Sequence, residues 1–188
     1  MERCGWVNPD NERYVVYHDK EWGVPVHDDH HLFEMLILEG AQAGLSWETI
    51  LNKRENYRLA FDHFDPRIVS QYDESKIEQL MQNSGIVRNR LKIKATIKNA
   101  KVFLNIQEEF GSFDSYLWHY VDGTPIVNTF KTLAEIPSKT DLSDIISKDL
   151  KKRGMSFIGS TIIYAYLQAI GVVNDHMMNC FRYREVML

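Results

Sequence analysis

Two cysteines and two histidines sit toward opposite ends of this chain: Cys4 with His18, and His176 with Cys180. Thiolate sulfur and imidazole nitrogen are the donors a tetrahedral zinc ion takes. A His-x3-Cys pair places both groups on one face of a helix, one turn apart. His176 and Cys180 are therefore expected on a helix. If the two ends of the chain meet, the four donors close a shell with no open position, which is a structural rather than a catalytic site. The interval between Cys4 and His18 matches no standard zinc-finger spacing. The alternative is that both cysteines are small buried apolar groups and both histidines are surface polar groups.

A second set is aromatic and acidic: Trp6, Tyr14, Tyr17, Trp22, Glu39 and Trp47. Glu39 lies in Leu36-Ile37-Leu38-Glu39-Gly40-Ala41, an apolar stretch that should be buried. A buried carboxyl must be paired, or its pKa rises. Aromatic faces around one carboxylate could hold a flat, cationic, hydrogen-bonding ligand. On these residues alone the plainer reading is the stronger: core aromatics, and a glutamate that finds a backbone or arginine partner.

A third set is the run from Lys151 to Thr161, with Lys152, Arg153, Gly154, Gly159, Ser160 and Thr161 as its polar and turn-forming members. Two glycines bracket a hairpin with apolar anchors inside it, and Gly159 opens a helix whose free N–H groups form an anion site. This has the form of a helix-hairpin-helix over about residues 142–170, a module that holds a DNA strand by its phosphates without reading bases. An ordinary αα-hairpin with a glycine cap is the alternative.

Gln42-Ala43-Gly44-Leu45-Ser46-Trp47 breaks two helices at a glycine. Gly44 permits close backbone approach, and Leu45 could project as an apolar wedge. In isolation a helix-helix turn with a core leucine is the stronger reading. His27-Asp28-Asp29-His30-His31 invites a second metal site, but neighbours this close in sequence rarely converge, and Asp28 is expected to cap a helix.

The elements that must carry these groups are helical. Asp28 caps a helix with Leu32, Phe33, Leu36 and Ile37 inward, and Ser46 caps the next, with Trp47, Ile50, Leu51 and Arg54 at helical spacing. Asp65-Pro66 and Asp73 start two short helices. Ile93, Ile97, Ala100 and Leu104 recur along a long amphipathic helix from about Asn89 to Phe110, ended by Gly111-Ser112. Leu142, Ile145, Ile146 and Leu150 mark a helix ended by Gly154, and Thr161 to Ile170 a further apolar one. The stretch from Asp122 to Lys139 reads as a surface loop. No set of alternating strands is visible, so the expected class is all-α.

With 188 residues and 44% hydrophobic content, the chain is expected to be one domain over 1–188 with a sizeable core. It shows no secretory signal and no apolar run near the roughly 18 residues of a membrane span. A cytoplasmic protein with reduced thiols is expected, which favours metal over a disulfide. The net charge of −4 argues against a broad nucleic-acid surface but not a local one. Two basic clusters exist: Arg88, Arg90, Lys92, Lys94, Lys98 and Lys101, and Lys148, Lys151, Lys152 and Arg153. A solvated helix face accounts for the first.

Taken together, Cys4-Gly5-Trp6, the run Tyr17 to Pro25, Leu38-Glu39-Gly40, Gln42 to Trp47 and Val173-Asn174-Asp175-His176 resemble the 3-methyladenine DNA glycosylase I family, over about residues 2–182. That resemblance implies an all-helical helix-hairpin-helix glycosylase acting on alkylated double-stranded DNA; a monomer is the default expectation, and no membrane partner is expected. It implies a structural zinc on Cys4, His18, His176 and Cys180, joining the N- and C-terminal segments. It implies a pocket for a flipped 3-methyladenine, with Glu39 and Tyr17 hydrogen-bonding the base and Trp6, Tyr14 and Trp47 around it. It implies that Gly44 and Leu45 enter the DNA at the lesion. Many members of the wider superfamily place a catalytic aspartate shortly after the hairpin. Here that position is Asn174, as in the named family, and Asp175 directly precedes a ligand, so an aspartate-assisted mechanism is in doubt. A DNA-binding module without catalysis and a zinc hydrolase remain the other classes.

Overall fold

The computed structural model describes residues 1–187. Its elements run α1 (Glu12–Lys20), α2 (Asp29–Gln42), α3 (Trp47–Ala60), α4 (Pro66–Val69), α5 (Glu74–Gln82), α6 (Arg90–Phe110) and α7 (Phe113–Trp118). They continue as β1 (Ile126–Val127), α8 (Asp141–Arg153), α9 (Ser160–Ala169), β2 (Val173–Asn174) and α10 (Arg182–Glu185).

Helix α2 is the centre of the molecule. It is buried on nearly every side from Leu32 to Ala41, and α3, α6, α7 and α9 pack around it. A helix apolar all round belongs in a core. Its start is fixed by Asp28, whose carboxylate accepts the His31 N–H at 2.8 Å. Asp29 in turn accepts the N–H groups of Phe113 and Asp114 at 2.8 Å each and so caps α7. Ser46, Asp65, Asp73 and Asn89 cap α3, α4, α5 and α6, as a short polar side chain before an apolar run should. Of the four apolar positions expected to face inward on α8, Ile145 does not: it is 55% exposed, because the inward stripe is set by Ile146 and Leu150.

One departure from a purely helical fold is local. β1 and β2 pair in parallel, Ile126 with Val173 and Val127 with Asn174. The pairing draws the irregular stretch after α7 against the chain that leads to His176. Just before β2, Gly171 allows a second close approach, to the segment after α1. A Cβ there would lie 2.4 Å from the backbone of Val24 and Pro25, and its φ is +71°.

Candidate functional site

The two ends of the chain meet. Cys4, His18, His176 and Cys180 are all buried, and their donor atoms lie within 4.8 Å of one another. Sγ of Cys4 is 3.5 Å from Nδ1 of His176, and Sγ of Cys180 is 3.4 Å from Nε2 of His18 and 3.6 Å from Nδ1 of His176. A tetrahedral zinc with ordinary Zn–S and Zn–N bonds sets sulfur and nitrogen about 3.5 Å apart. The remote nitrogen of each imidazole is also held: His18 Nδ1 by Asp19 at 2.7 Å and His176 Nε2 by the Trp22 carbonyl at 2.9 Å. Both rings thus turn an unprotonated nitrogen to the centre, as metal-bound histidines do. The Met177 N–H donates to the Cys4 sulfur at 3.4 Å. Hydrogen bonding between the two thiols holds Cys180 far below the usual range and pushes Cys4 above it. The donor set therefore fits a closed metal site.

His176 and Cys180 do not lie on a helix, contrary to the expectation from their spacing. Pairing with β1 keeps the backbone extended at Val173–Asn174, and the Asn174 side chain then accepts the His176 N–H at 3.1 Å. A turn closed by Cys180 N–H to Met177 C=O, 2.8 Å, brings the second ligand round.

Beside this cluster opens a cavity of about 340 Å³, lined by Trp6, Tyr14, Tyr17, Trp22, Glu39 and Trp47 among others. Trp6 and Trp22 form a common wall: their rings meet edge to face at 4.9 Å, and Trp22 also packs on the His176 ring at 4.6 Å. Tyr17 and Trp47 meet at 5.3 Å. Trp22 thus joins Trp6, Tyr14 and Trp47 in the lining, beyond the three aromatics expected around a ligand. Gln42, Leu133, Ile136, Ala165 and Gln168 complete the lining. The signal for Gln168 was available, as the lone amide in the apolar run Thr161 to Ile170.

Helix α2 buries two carboxyls, Glu34 and Glu39, each 3% exposed, and treats them differently. Burial alone would raise Glu34, but Arg54 at 2.7 Å and Arg58 at 2.9 Å hold it below the usual range. Glu39 has no hydrogen-bonding partner among the described residues, and burial pushes it up to about 8. The Tyr17 hydroxyl is raised by burial and by Glu39, so it stays a donor. The Trp47 indole Nε1 is buried without a partner. An unpartnered carboxyl and an unpartnered indole N–H at an apolar cavity are groups left for a ligand.

The turn after α2 stands at the cavity's edge, flanked by Gln42 and Trp47. Leu45 is not core: it is 39% exposed, and Gly44 has φ +78° with open space around it. Lys92 is not solvated either. Its Nζ donates to the carbonyls of Ala41 and Ala43, at 2.8 and 2.6 Å, and holds the turn from α6.

The hairpin between α8 and α9 is clamped from inside. The Asn99 amide bonds both the C=O and N–H of Ser156 at 2.9 Å, and Ser147 Oγ donates to the Ile158 carbonyl at 2.7 Å. Gly154 ends α8 at φ +112°. Lys152 and Thr161 are exposed beside the α9 start, and Gly159 and Ser160 are half-buried. Arg153 is committed elsewhere, to Asp149 at 2.7 Å and Glu109 at 2.6 Å, over the rings of Phe110 and Tyr116. Asp144 faces the α9 start, held low by Ser160 and Lys139.

The His27–His31 stretch gathers no metal set among the described residues. His27 instead bonds Asp114 at 2.7 Å and stacks on Trp118.

A purine-sized cavity with a free carboxyl, opening beside an exposed apolar turn and lined on one side by the helix that follows the glycine-bracketed hairpin, suits an enzyme that works on a base drawn out of DNA. The sequence agrees at the level of family. The methyladenine glycosylase profile matches residues 6–183. DNA-3-methyladenine glycosylase 1 of Escherichia coli (strain K12) is 51% identical over 183 residues, covering 97% of each chain. A crystal structure of 3-methyladenine DNA glycosylase I superposes with a TM-score of 0.93 at 49% identity, covering 96% of this chain and 98% of that one. A Staphylococcus aureus 3-methyladenine DNA glycosylase I, solved to show recognition of 3-methyladenine, superposes with a TM-score of 0.92 at 36% identity, covering 96% of each. The chain belongs to the methyladenine glycosylase family. Among the described residues no helix is long and apolar enough to cross a membrane.

Proposed function

We propose that this protein hydrolyses the N-glycosidic bond of 3-methyladenine in alkylated double-stranded DNA, as a monomeric cytoplasmic repair glycosylase. The carrying observation is the Glu39 carboxyl, buried in an aromatic cavity and without a partner.

N3-methylation leaves the nucleoside cationic, so the bond from C1′ to the base is already weakened. The base departs neutral with the bonding electron pair, water adds at C1′, and the water's proton passes to solvent. Little acid catalysis is needed, and binding that favours the departing form is enough. The nucleotide is flipped from the duplex into the cavity, and Leu45 on the Gly44 turn fills the space behind it. Trp6, Tyr14 and Trp47 enclose the base, and Tyr17 donates a hydrogen bond to it.

In the empty cavity near pH 7 the Glu39 carboxyl is mostly protonated, given a value of about 8. A cationic base favours the carboxylate, which then accepts a hydrogen bond from the exocyclic amine. An ordinary adenine is uncharged and gains nothing from this ionisation. The cavity thus selects by charge as well as shape.

The DNA strand is held at Gly159, Ser160 and Thr161 through backbone N–H groups at the start of α9, with Lys152 adding charge, while Gly154, whose own N–H is bonded to the Leu150 and Lys151 carbonyls, serves by shaping the turn. Zinc suits the four-residue cluster. It would be held by Cys4, His18, His176 and Cys180, and with all four positions filled it would tie the chain ends together rather than activate water.

The test is release of free base from methylated duplex DNA by wild type and by Glu39→Gln. Release of 3-methyladenine, strongly reduced in the variant, is expected. DNA binding without any release would overturn the proposal.

A further inference from the structure

Asp175 is completely buried between Asn174 and His176. It does not line the cavity. Its carboxylate is instead filled by neutral donors: Asn128 Nδ2 at 2.6 Å, the Tyr164 hydroxyl, and Gln168 Nε2 at 2.8 Å. Gln168 does line the cavity. A carboxylate can only accept, so the amide turns its NH2 to Asp175, and reversing the side chain would remove one of the three donors and set the amide oxygen against the carboxylate. The Gln168 carbonyl oxygen, which has no donor among the described residues, is then a locked acceptor.

Helix position says what it meets. Thr161, Ala165 and Gln168 share one face of α9. Seven residues at 1.5 Å rise place Gln168 about 10 Å along the helix from its start. If that start holds the DNA backbone, Gln168 lies at the depth of the flipped base's far edge rather than at the sugar. The Gly23 N–H donates to the Gln168 backbone carbonyl at 3.1 Å, so the residue is also fixed against the wall that carries Trp22.

We propose that Gln168 is a specificity residue of this cavity, its carbonyl oxygen oriented by Asp175 to accept an N–H from a purine exocyclic amine. This rests on the glycosylase reading above. The amine supplies the N–H donors of 3-methyladenine. A 6-oxopurine such as 3-methylguanine carries an acceptor at that place, and two facing acceptors cannot bond.

The test uses the metal-loaded protein in two assays. One is calorimetric binding of free 3-methyladenine. The other is the ratio of 3-methyladenine to 3-methylguanine released from duplex DNA treated with a methylating agent. Gln168→Met, which keeps the length but removes the acceptor, is expected to weaken free-base binding about tenfold, near the worth of one hydrogen bond. It should narrow the release ratio similarly. Asp175→Asn, which leaves Gln168 in place but frees its amide to reverse, should cause a smaller shift in the same direction. A folded Gln168→Met with wild-type affinity and ratio would overturn the proposal, and an unchanged Asp175→Asn would remove the orienting role. If wild type releases no base, the glycosylase reading fails, while the free-base affinities still decide whether Gln168 is an acceptor.

Discussion

The Lys92 ammonium donates to the carbonyl oxygen of Ala43 at 2.6 Å, joining the first turn of α6 to the loop that presents Leu45. A second bond to Ala41 at 2.8 Å satisfies a carbonyl that the end of α2 would otherwise leave free. Lys92→Met should therefore loosen the Gly44 turn while sparing the cavity. We expect a stability loss of about 1–2 kcal/mol, weaker binding to duplex DNA, and unchanged affinity for the free base. Titrations with DNA and with 3-methyladenine separate the two effects.

Glu39 should matter for chemistry more than for folding. Glu39→Gln keeps the shape and removes the charge. Single-turnover base release should fall by about 100-fold or more, the usual scale for losing one preorganised electrostatic group. Chemical denaturation should show no loss of stability at neutral pH.

The same carboxyl sets a pH dependence of stability. Its folded value of about 8 lies above the ordinary 4.5. Between those values the folded protein holds a proton that the unfolded chain has lost. The stability linked to Glu39 is therefore fully present below pH ~4.5 and is lost as pH rises toward ~8. Urea midpoints of wild type, corrected by those of Glu39→Gln, should decline across this window and level off above it. A flat difference would show that the carboxyl is not buried in solution.

Metal removal should act on the ends of the chain. A purified sample should carry one zinc per chain, with two sulfur and two nitrogen neighbours by X-ray absorption. Cys180→Ser should lower stability by several kcal/mol, since metal binding free energy is folding free energy. A chelator should bring wild type down to the variant, and a chelator-insensitive wild type would speak against the site.

Arg54 holds Glu34 at 2.7 Å and Glu21 at 2.6 Å and is 6% exposed. Arg54→Leu strands the Glu34 carboxylate on α2 with only Arg58 beside it. A loss of about 3 kcal/mol is expected, larger at neutral pH than at pH 4, where Glu34 can take up a proton. Denaturant unfolding at the two pH values checks it.

The sequence made the helices legible because their caps and apolar periods are local signals. Asp28, Ser46 and Asn89 each cap the helix expected of them. The four metal-site donors and the aromatic set were also legible, since their residue types are rare enough to stand out. What stayed hidden depends on tertiary contact. The turn between His176 and Cys180 follows from a two-residue pairing with a stretch some fifty residues earlier, which no periodicity announces. Spacing could not tell Glu34 from Glu39, because the difference is whether arginines on α3 reach them. Lys92 reads as a solvated charge and Arg153 as a phosphate contact, yet Lys92 ends on the carbonyls of Ala41 and Ala43, and Arg153 on Asp149 of its own helix and Glu109 of α6.

The protein has four tryptophans, and Trp6, Trp22 and Trp47 all face the cavity. The fourth, Trp118, is buried elsewhere, its indole fixed to the Val26 carbonyl at 2.9 Å. Intrinsic ultraviolet emission is thus weighted toward one place in the molecule, with a single constant background. A base entering the cavity would quench or shift three emitters out of four, and release of a metal from the four-residue cluster would disturb two of them through His18 and His176. The fold carries its own optical reporter for both events, without any attached dye.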